Sequence, residues 1–534
     1  MRPATVTSRV GLRQRPRVRL RAGRHLLGMG LLFVAALLVG CAAEPLPDYP
    51  RTPSTAFEDP ASTTLGRFFG KAADQHPGLS GFSLLVEGRR AFIARLSLID
   101  TAERSLDMQY YIWDPDTTGR IIVDRVMRAA DRGVRVRLLV DDPYHSDVHE
   151  AIAALDAHPN VEIRLFNPLL SRAWYGFDFI TDFSRVNRRM HNKLMVADNA
   201  AALVGGRNIG DIYYGVNTTA NYRDLDVLAV GPVVRSLSGV FDQYWNSASA
   251  VPIAALVERT YGPADLADIL ARLRQTISEV EYPYPIEQDL HEMTVGANEI
   301  RDELVWANGR IIADDPGDIA RGEVADDVFG FLDRRVAELQ KELLIESPYF
   351  VLSPRAIGIV KELRDRGVRV RVLTNSLASN DVLPAHSGYA KTRRRLLENG
   401  MEISELRPDT DAFRPGWSLV AGRSRAALHT KALAFDGEAV FIGSFNLDPR
   451  SAVINTEAGL YIESPVFTRK LADYMATGVS PADSYRVFLD EAGRIVWETV
   501  QDGKKVRYDD EPEAGFRRRF IVDLLKMLPL DSQL

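Results

Sequence analysis

The 534-residue chain states one pattern twice, and that repetition limits its folds more than any other feature. The string RGVRVRLL at 132–139 returns as RGVRVRVL at 366–373. His191-Asn192-Lys193 followed by Asp198 returns as His429-Thr430-Lys431 followed by Asp436. Gly205-Gly206-Arg207-Asn208 returns as Gly443-Ser444-Phe445-Asn446, and the segment 106–113 is paralleled by 345–351. Landmarks in one order at nearly one spacing mean a duplicated domain. A chain of this length holds two to four domains of roughly 150 residues, so both copies fit with room for connections.

Within each copy the pattern alternates between strand and helix. Residues 134–140 and 368–373 interleave apolar residues with arginine, as half-buried strands do. The helix ahead of the first has apolar spacing at Ile122, Val126, Ala129 and Ala130 and stops at Gly133. Two short apolar runs meet at Asp198-Asn199 in the first copy and at Asp436-Gly437 in the second, which predicts a hairpin in each and places both histidines on a strand. The fold class is therefore α/β: two α/β sandwich domains with mixed sheets, 76–251 and 326–500, related by a pseudo-twofold with the active site at their interface. Residues 252–325 lack an equivalent motif and read as a partly helical connector. Residues 501–534 start basic and carry an apolar stripe (Phe516, Phe520, Ile521, Leu524, Leu525, Leu528), a pattern that suits a membrane interface or packing against the body equally.

In extended backbone, residues i and i+2 share a face, so His191 and Lys193 converge, as do His429 and Lys431. The returning strand brings Gly206 and Asn208, or Ser444 and Asn446, to the same spot, and small residues there admit close approach of a ligand. Two imidazoles, two ammoniums and two carboxamides around one point suit a phosphodiester. Lysines and asparagines would hold the nonbridging oxygens. One imidazole would attack phosphorus while the other donates a proton to the leaving alkoxide. This chemistry needs no metal and no cofactor.

The first 40 residues carry eight arginines and no acid or lysine, so a net charge of −6 for the chain becomes −14 for the remainder. An acidic body disfavours a general nucleic-acid binder. The arginines lead into an apolar run at 26–40, too short for a span of about 20 residues. Leu38-Val39-Gly40-Cys41 then resembles a bacterial lipobox, with Cys41 the single cysteine of the chain. Residues 1–40 are thus expected to be a lipoprotein signal peptide, Cys41 the lipidation site, and the proline-bearing stretch 41–75 a tether from the membrane of a bacterial envelope, with the body facing the periplasm.

The twice-present pattern H-x-K-x4-D-x6-G-[GS]-x-N resembles the phospholipase D superfamily, and strings such as Arg188-Arg189-Met190-His191 and Asn446-Leu447-Asp448-Pro449-Arg450 are similar to the cardiolipin synthase C subfamily. The resemblance implies His191 as nucleophile and His429 as general acid and then base, with Lys193, Lys431, Asn208 and Asn446 on the phosphate and Ser444 and Gly206 completing the phosphate-binding set. It implies structural salt bridges for the motif aspartates Asp198 and Asp436. It also implies a histidine-orienting acid after each second motif, Glu457 in one copy and Asp226 in the other, where Asp224 competes. Gly206 departs from the serine found at Ser444. The implied activity is phosphatidyl transfer making cardiolipin from phosphatidylglycerol and a second phospholipid, phosphatidylethanolamine; hydrolysis of phospholipid is the rival outcome of the same chemistry. Outside the motifs, His145 and His149 after Asp141-Asp142 read as a solvated loop rather than a metal site. Tyr110, Tyr111 and Trp113 read as core or cleft wall, Arg393-Arg394-Arg395 as a solvated helix face, and His386 as either structural or a head-group contact.

Overall fold

A computed structural model describes residues 49–142, 148–169, 182–295, 297–324, 326–410 and 424–528. Cys41, the apolar run before it and His145 lie outside the described residues.

The first copy contributes β1 (Ser80–Leu85), β2 (Ser105–Tyr110), β3 (Arg135–Asp141), β4 (Val161–Phe166), β5 (Leu194–Ala197), β6 (Ala201–Gly205), β7 (Ala220–Arg223), β8 (Asp226–Val230) and β9 (Ala250–Pro252). β10 (Val305–Ala313) follows. The second copy contributes β11 (Glu342–Glu346), β12 (Arg369–Asn375), β13 (Glu402–Leu406), β14 (Arg425–Leu428), β15 (Ala432–Phe435), β16 (Ala439–Gly443), β17 (Ala458–Glu463), β18 (Ser484–Leu489), β19 (Ile495–Gln501) and β20 (Lys504–Tyr508).

Pairing runs β9-β4-β3-β2-β5-β6-β8 in the first copy and β18-β13-β12-β11-β15-β16-β17 in the second. In both, the pairs β2–β3–β4 and β11–β12–β13 are parallel, joined through helices such as Thr117–Asp131 and Pro354–Asp365, while the hairpin strands are antiparallel. This is the mixed α/β architecture expected for each half. β10 falls inside the expected connector, yet it pairs with β1 at one end and β17 at the other, so the two sheets are hydrogen-bonded through one strand. β10 is the second copy's counterpart of β1, each pairing antiparallel with the strand after the hairpin, β8 or β17, but the two share no residue at equivalent register, so sequence repetition could not show it.

Three large apolar cores form among the described residues. One lies within each copy, and a third is shared, with Val196, Ala202 and Val227 of the first copy packed with Ala432, Val440 and Leu460 of the second. The helices Val233–Trp245 and Pro465–Gly478 cover that shared core with Phe241, Trp245, Phe467 and Leu471. From Thr52 onward the expected tether is packed down: the Thr52 and Ser54 carbonyls accept from the buried guanidiniums of Arg164 and Arg137 at 2.8 and 2.9 Å. Leu65 and Phe69 of the Thr64–Ala73 helix are buried.

Candidate active site

Each motif histidine takes its main-chain partner from the opposite copy. His191 donates its amide to the Thr456 carbonyl at 2.9 Å, and His429 donates to the Arg223 carbonyl at 2.8 Å. The histidines therefore sit on extended backbone just ahead of β5 and β15, not inside those strands, because cross-copy bonds replace the ladder there. A two-stranded parallel sheet, β7 with β14, carries Arg223 and Leu428 into register beside this junction.

The side chains repeat the exchange. His191 Nδ1 lies 2.9 Å from Glu457 Oε2, and His429 Nδ1 lies 2.6 Å from Asp224 Oδ2. The expected partner Asp226 is elsewhere: buried, it accepts from Arg95 at 3.0 Å and from Arg207 at 3.3 Å. Strand register explains the correction. Gly205 stands opposite Asp226 and Gly443 opposite Gly459, so the position equivalent to Glu457 is two residues before Asp226, which is Asp224. The longer loop between Asn208 and Asp224 hides that equivalence from spacing alone.

Lys193 and Lys431 are buried and donate their ammoniums to the carbonyls of His191 and His429. Sharing a face with its histidine, each lysine thus lies beside the imidazole. The Tyr111 ring stands edge-on to His191 at 4.9 Å, Tyr213 edge-on to His429 at 5.1 Å, and Tyr222 stacks on His429 at 4.9 Å. Asn208 is fully buried, donating to Tyr213 Oη at 2.9 Å and accepting from the Ile112 amide at 3.1 Å. Asn446 is buried with its side-chain oxygen lacking a protein partner among the described residues. Ser444, expected on the phosphate, instead donates its hydroxyl to Glu457 and accepts the Ala458 amide at 3.0 Å. Gly206 stands where Asp224 needs the space: a Cβ there would lie 2.1 Å from Asp224 Oδ1. A serine and a glutamate in one copy are therefore matched by a glycine and an aspartate in the other.

The motif aspartates belong to the scaffold. Asp198 accepts from the amides of Glu103, Arg104 and Ser105 at 3.0, 2.7 and 2.9 Å. Asp436 accepts from Gln340, Lys341 and Glu342 at 2.9, 2.7 and 2.9 Å. Their partners are main-chain amides at the starts of β2 and β11, not the salt-bridge cations expected. Each occupies a turn with positive φ at both central positions, Asp198-Asn199 and Asp436-Gly437, as type I′ hairpins require.

Sequence reasoning missed two buried acids that brace the site. Asp141 accepts from Arg189 at 3.0 Å and from the Met190 amide at 2.9 Å, fixing the segment that ends in His191. Asp314 accepts the Glu457 amide at 2.8 Å. The adjacent Asp142 and His149, expected in solvent, are buried and joined at 2.6 Å. Arg393, expected on a solvated face, is buried between Glu405 and Glu511. His386 is buried and lies 3.4 Å from Glu511, a structural contact. Carboxylate–arginine and carboxylate–amide pairs of this sort leave no signature in spacing. The one local cue is positional: Asp141 ends β3 as Asn375 ends β12.

Electrostatically the two halves differ. Burial, reinforced by Lys193 and Lys431, pushes His191 well below its usual range, and burial pushes Glu457 up to about 8. Burial and Lys431 push His429 down to about 4. Burial alone would raise Asp224, but His429 beside it, with Lys431 and Arg207, holds it below its usual value. Burial lowers both lysines, Lys431 to about 8. The carboxylate beside His429 is thus anionic at neutral pH, whereas the one beside His191 favours its neutral form.

Comparison with known proteins fits this geometry. The family described as "Cardiolipin synthase, PLD-like domain" matches residues 96–245 and 332–477, one match in each copy. Cardiolipin synthase C of Escherichia coli K12 is 38% identical over 467 residues, covering 86% of this chain and 97% of the relative. An uncharacterized protein of Helicobacter pylori J99 is 30% identical over 476 residues, covering 88% and 93%. The crystal structure of phosphatidylserine synthase from Haemophilus influenzae superposes with a TM-score of 0.56 at 15% identity, covering 88% of this chain and all of that one, a likeness of fold.

Proposed function

Because the chain belongs to the cardiolipin synthase family of phospholipase D-like proteins, and is a phosphatidyltransferase of that superfamily, we propose that it makes cardiolipin from phosphatidylglycerol and phosphatidylethanolamine through a phosphohistidine intermediate. The observation that carries this reading is the exchange of carboxylates between copies. Glu457 and Asp224 occupy Nδ1 of His191 and His429, so Nε2 of each ring is the nitrogen left for chemistry.

In the first step His191 Nε2 forms a bond to phosphorus as the bond to the head-group oxygen breaks. Asp224 partly offsets the burial and the Lys431 charge that lower His429, and the negative charge of a bound phosphodiester favours the imidazolium further. In the complex His429 therefore delivers its proton to that oxygen and ethanolamine departs. Lys193, Lys431, Asn208 and Asn446 bear the charge on the nonbridging oxygens. In the second step neutral His429 takes the proton of a glycerol hydroxyl of phosphatidylglycerol. That oxygen attacks phosphorus, the P–N bond breaks, and cardiolipin forms. If water took the place of that hydroxyl, phosphatidic acid would result. We assign Cys41 as the lipid attachment point in the bacterial envelope, with the body facing the periplasm. No helix among the described residues is long and apolar enough to cross a membrane.

Lipid mass spectrometry on purified protein with mixed vesicles of the two phospholipids tests the reading. Cardiolipin from the wild type, and none from His191→Ala or His429→Ala, is expected, with loss of product when either lipid is omitted. Phosphatidic acid as the sole product would replace transfer by hydrolysis.

A further inference from the structure

The Phe516–Lys526 helix has one buried side chain, Val522, which packs with Leu377 and Ala514. On the opposite face Phe516, Phe520 and Leu524 are 82%, 59% and 53% exposed, and the turn that follows adds Met527 at 81% and Leu528 at 43%. Spacing by four and then three or four residues puts all five on one stripe. Of the two uses the stripe pattern allowed, the structure uses a different and narrower face for packing.

Charge flanks the stripe. The helix carries Arg517, Arg518, Arg519 and Lys526 against Asp523. The helix beneath it, Leu383–Glu398, adds Lys391, Arg394 and Arg395, and Lys391 donates to the Leu528 carbonyl at 3.1 Å. Three of the helix's own charges are partly occupied: Arg519 by Asp510, Lys526 by Asp523, and Arg518 by the Asn380 carbonyl.

That last contact joins the stripe to the reaction centre. Asp381, next to Asn380, accepts from Tyr222 at 2.8 Å and from Tyr349 at 3.0 Å, and Tyr222 is the ring stacked on His429. The helix therefore borders the cleft on the His429 side.

We propose that this helix lies in the interface of a phospholipid leaflet bearing anionic head groups, its aromatic and aliphatic stripe among the acyl carbons and its arginines at the phosphates, so that the cleft opens onto the surface where its substrates lie. An apolar stripe with a basic flank is the chemistry of an interfacial helix. Five side chains on a single short helix fall short of the roughly 800 Å² per partner of a stable protein interface, which favours a leaflet over a second copy as the occupant. The choice of leaflet rests on the phosphatidyl-transfer reading above.

The test uses the full chain with Cys41→Ser, carrying an environment-sensitive fluorophore at Phe520→Cys or, as control, at Val466→Cys, which is 60% exposed on the Pro465–Gly478 helix. With phosphatidylglycerol–phosphatidylcholine vesicles the label at 520 should shift to the blue and be quenched by brominated acyl chains, while the label at 466 does neither. No response at 520 overturns the proposal. So does an equal response at both positions, or a shift that needs only more protein and no vesicle. A Phe520→Glu, Leu524→Glu double variant should lose about tenfold in cardiolipin formation from vesicles of phosphatidylglycerol and phosphatidylethanolamine and keep its turnover of the same two lipids as soluble short-chain forms. Loss on both overturns the docking role. A wild type that transforms neither lipid sinks the proposed function while the fluorescence still decides docking.

Discussion

Asp224 and Glu457 do one job with two chemistries, and the difference reaches the pH dependence. For His191 to attack, Glu457 must be ionised and accept Nδ1–H, which leaves the Nε2 lone pair; Lys431 must keep its proton to hold the phosphate. Glu457 is pushed up to about 8 and Lys431 down to about 8. Activity should therefore fall on the acid side as Glu457 takes a proton and on the alkaline side as Lys431 loses one, giving a bell for kcat/KM near pH 8. Ser444→Ala removes a hydrogen bond that favours ionised Glu457, so the acid limb should move to higher pH. Lys431→Arg should carry the alkaline limb upward. A flat profile from pH 6 to about 10 would contradict this assignment of protons. In the other half, Asp224→Asn should lower kcat by about a hundredfold or more with little change in stability. Asp226→Asn should instead cost about 3–5 kcal/mol, because it strips two buried arginines of their counter-ion. Gly206→Ser, which matches Ser444 in residue type, should behave like Asp224→Asn, since its side chain enters the space of the carboxylate. Steady-state kinetics beside thermal melts separate the three variants.

At the level of elements, the hairpins β5–β6 and β15–β16 are the units that deliver the chemistry, and each is pinned by its turn aspartate to amides at the start of the adjacent antiparallel strand, β2 or β11. Asp198→Ala and Asp436→Ala each forfeit three such bonds and should destabilise the protein by roughly 1–3 kcal/mol, with the folded fraction retaining its kcat. A loss of kcat at full stability would return those aspartates to the chemistry. The hairpins were legible in the sequence because turn residues with positive φ have a strong local preference, and so was the placing of each lysine with its histidine, two residues apart on extended backbone. The partner of His429 was not, because it depends on which residue of β8 stands opposite Gly205, and a loop of different length in each copy shifts the count. Ser444 was misplaced for a related reason: a residue type says that a hydroxyl is present but not which of two nearby anions it serves. The packing of the C-terminal stripe could not be read either, since a single helix offers two apolar faces and only the neighbouring Leu377 decides which is used.

In the whole molecule, neither copy can assemble its half of the centre alone. His191 is oriented by Glu457 and bonded to Thr456, His429 by Asp224 and Arg223, and β10 ties both sheets together while a shared core closes the junction. Duplication alone would have permitted two independently folding domains joined by a linker, which is how the sequence between the copies reads. The continuous pairing through β1, β10 and β17 makes the halves one cooperative body instead. Calorimetry should then show a single transition whose van't Hoff and calorimetric enthalpies agree, and Asp226→Asn should lower one common midpoint rather than split the trace. Complementation supplies the sharper test. If the exchange of carboxylates occurs within one chain, mixing His191→Ala protein with His429→Ala protein yields no active centre at any ratio, because each molecule retains one alanine in its only site. Recovered activity would mean that chains swap halves, with Glu457 of one molecule serving His191 of another. Absence of recovery, with both variants folded and melting near the wild-type temperature, would fix the centre as the product of one chain folded across its own repeat.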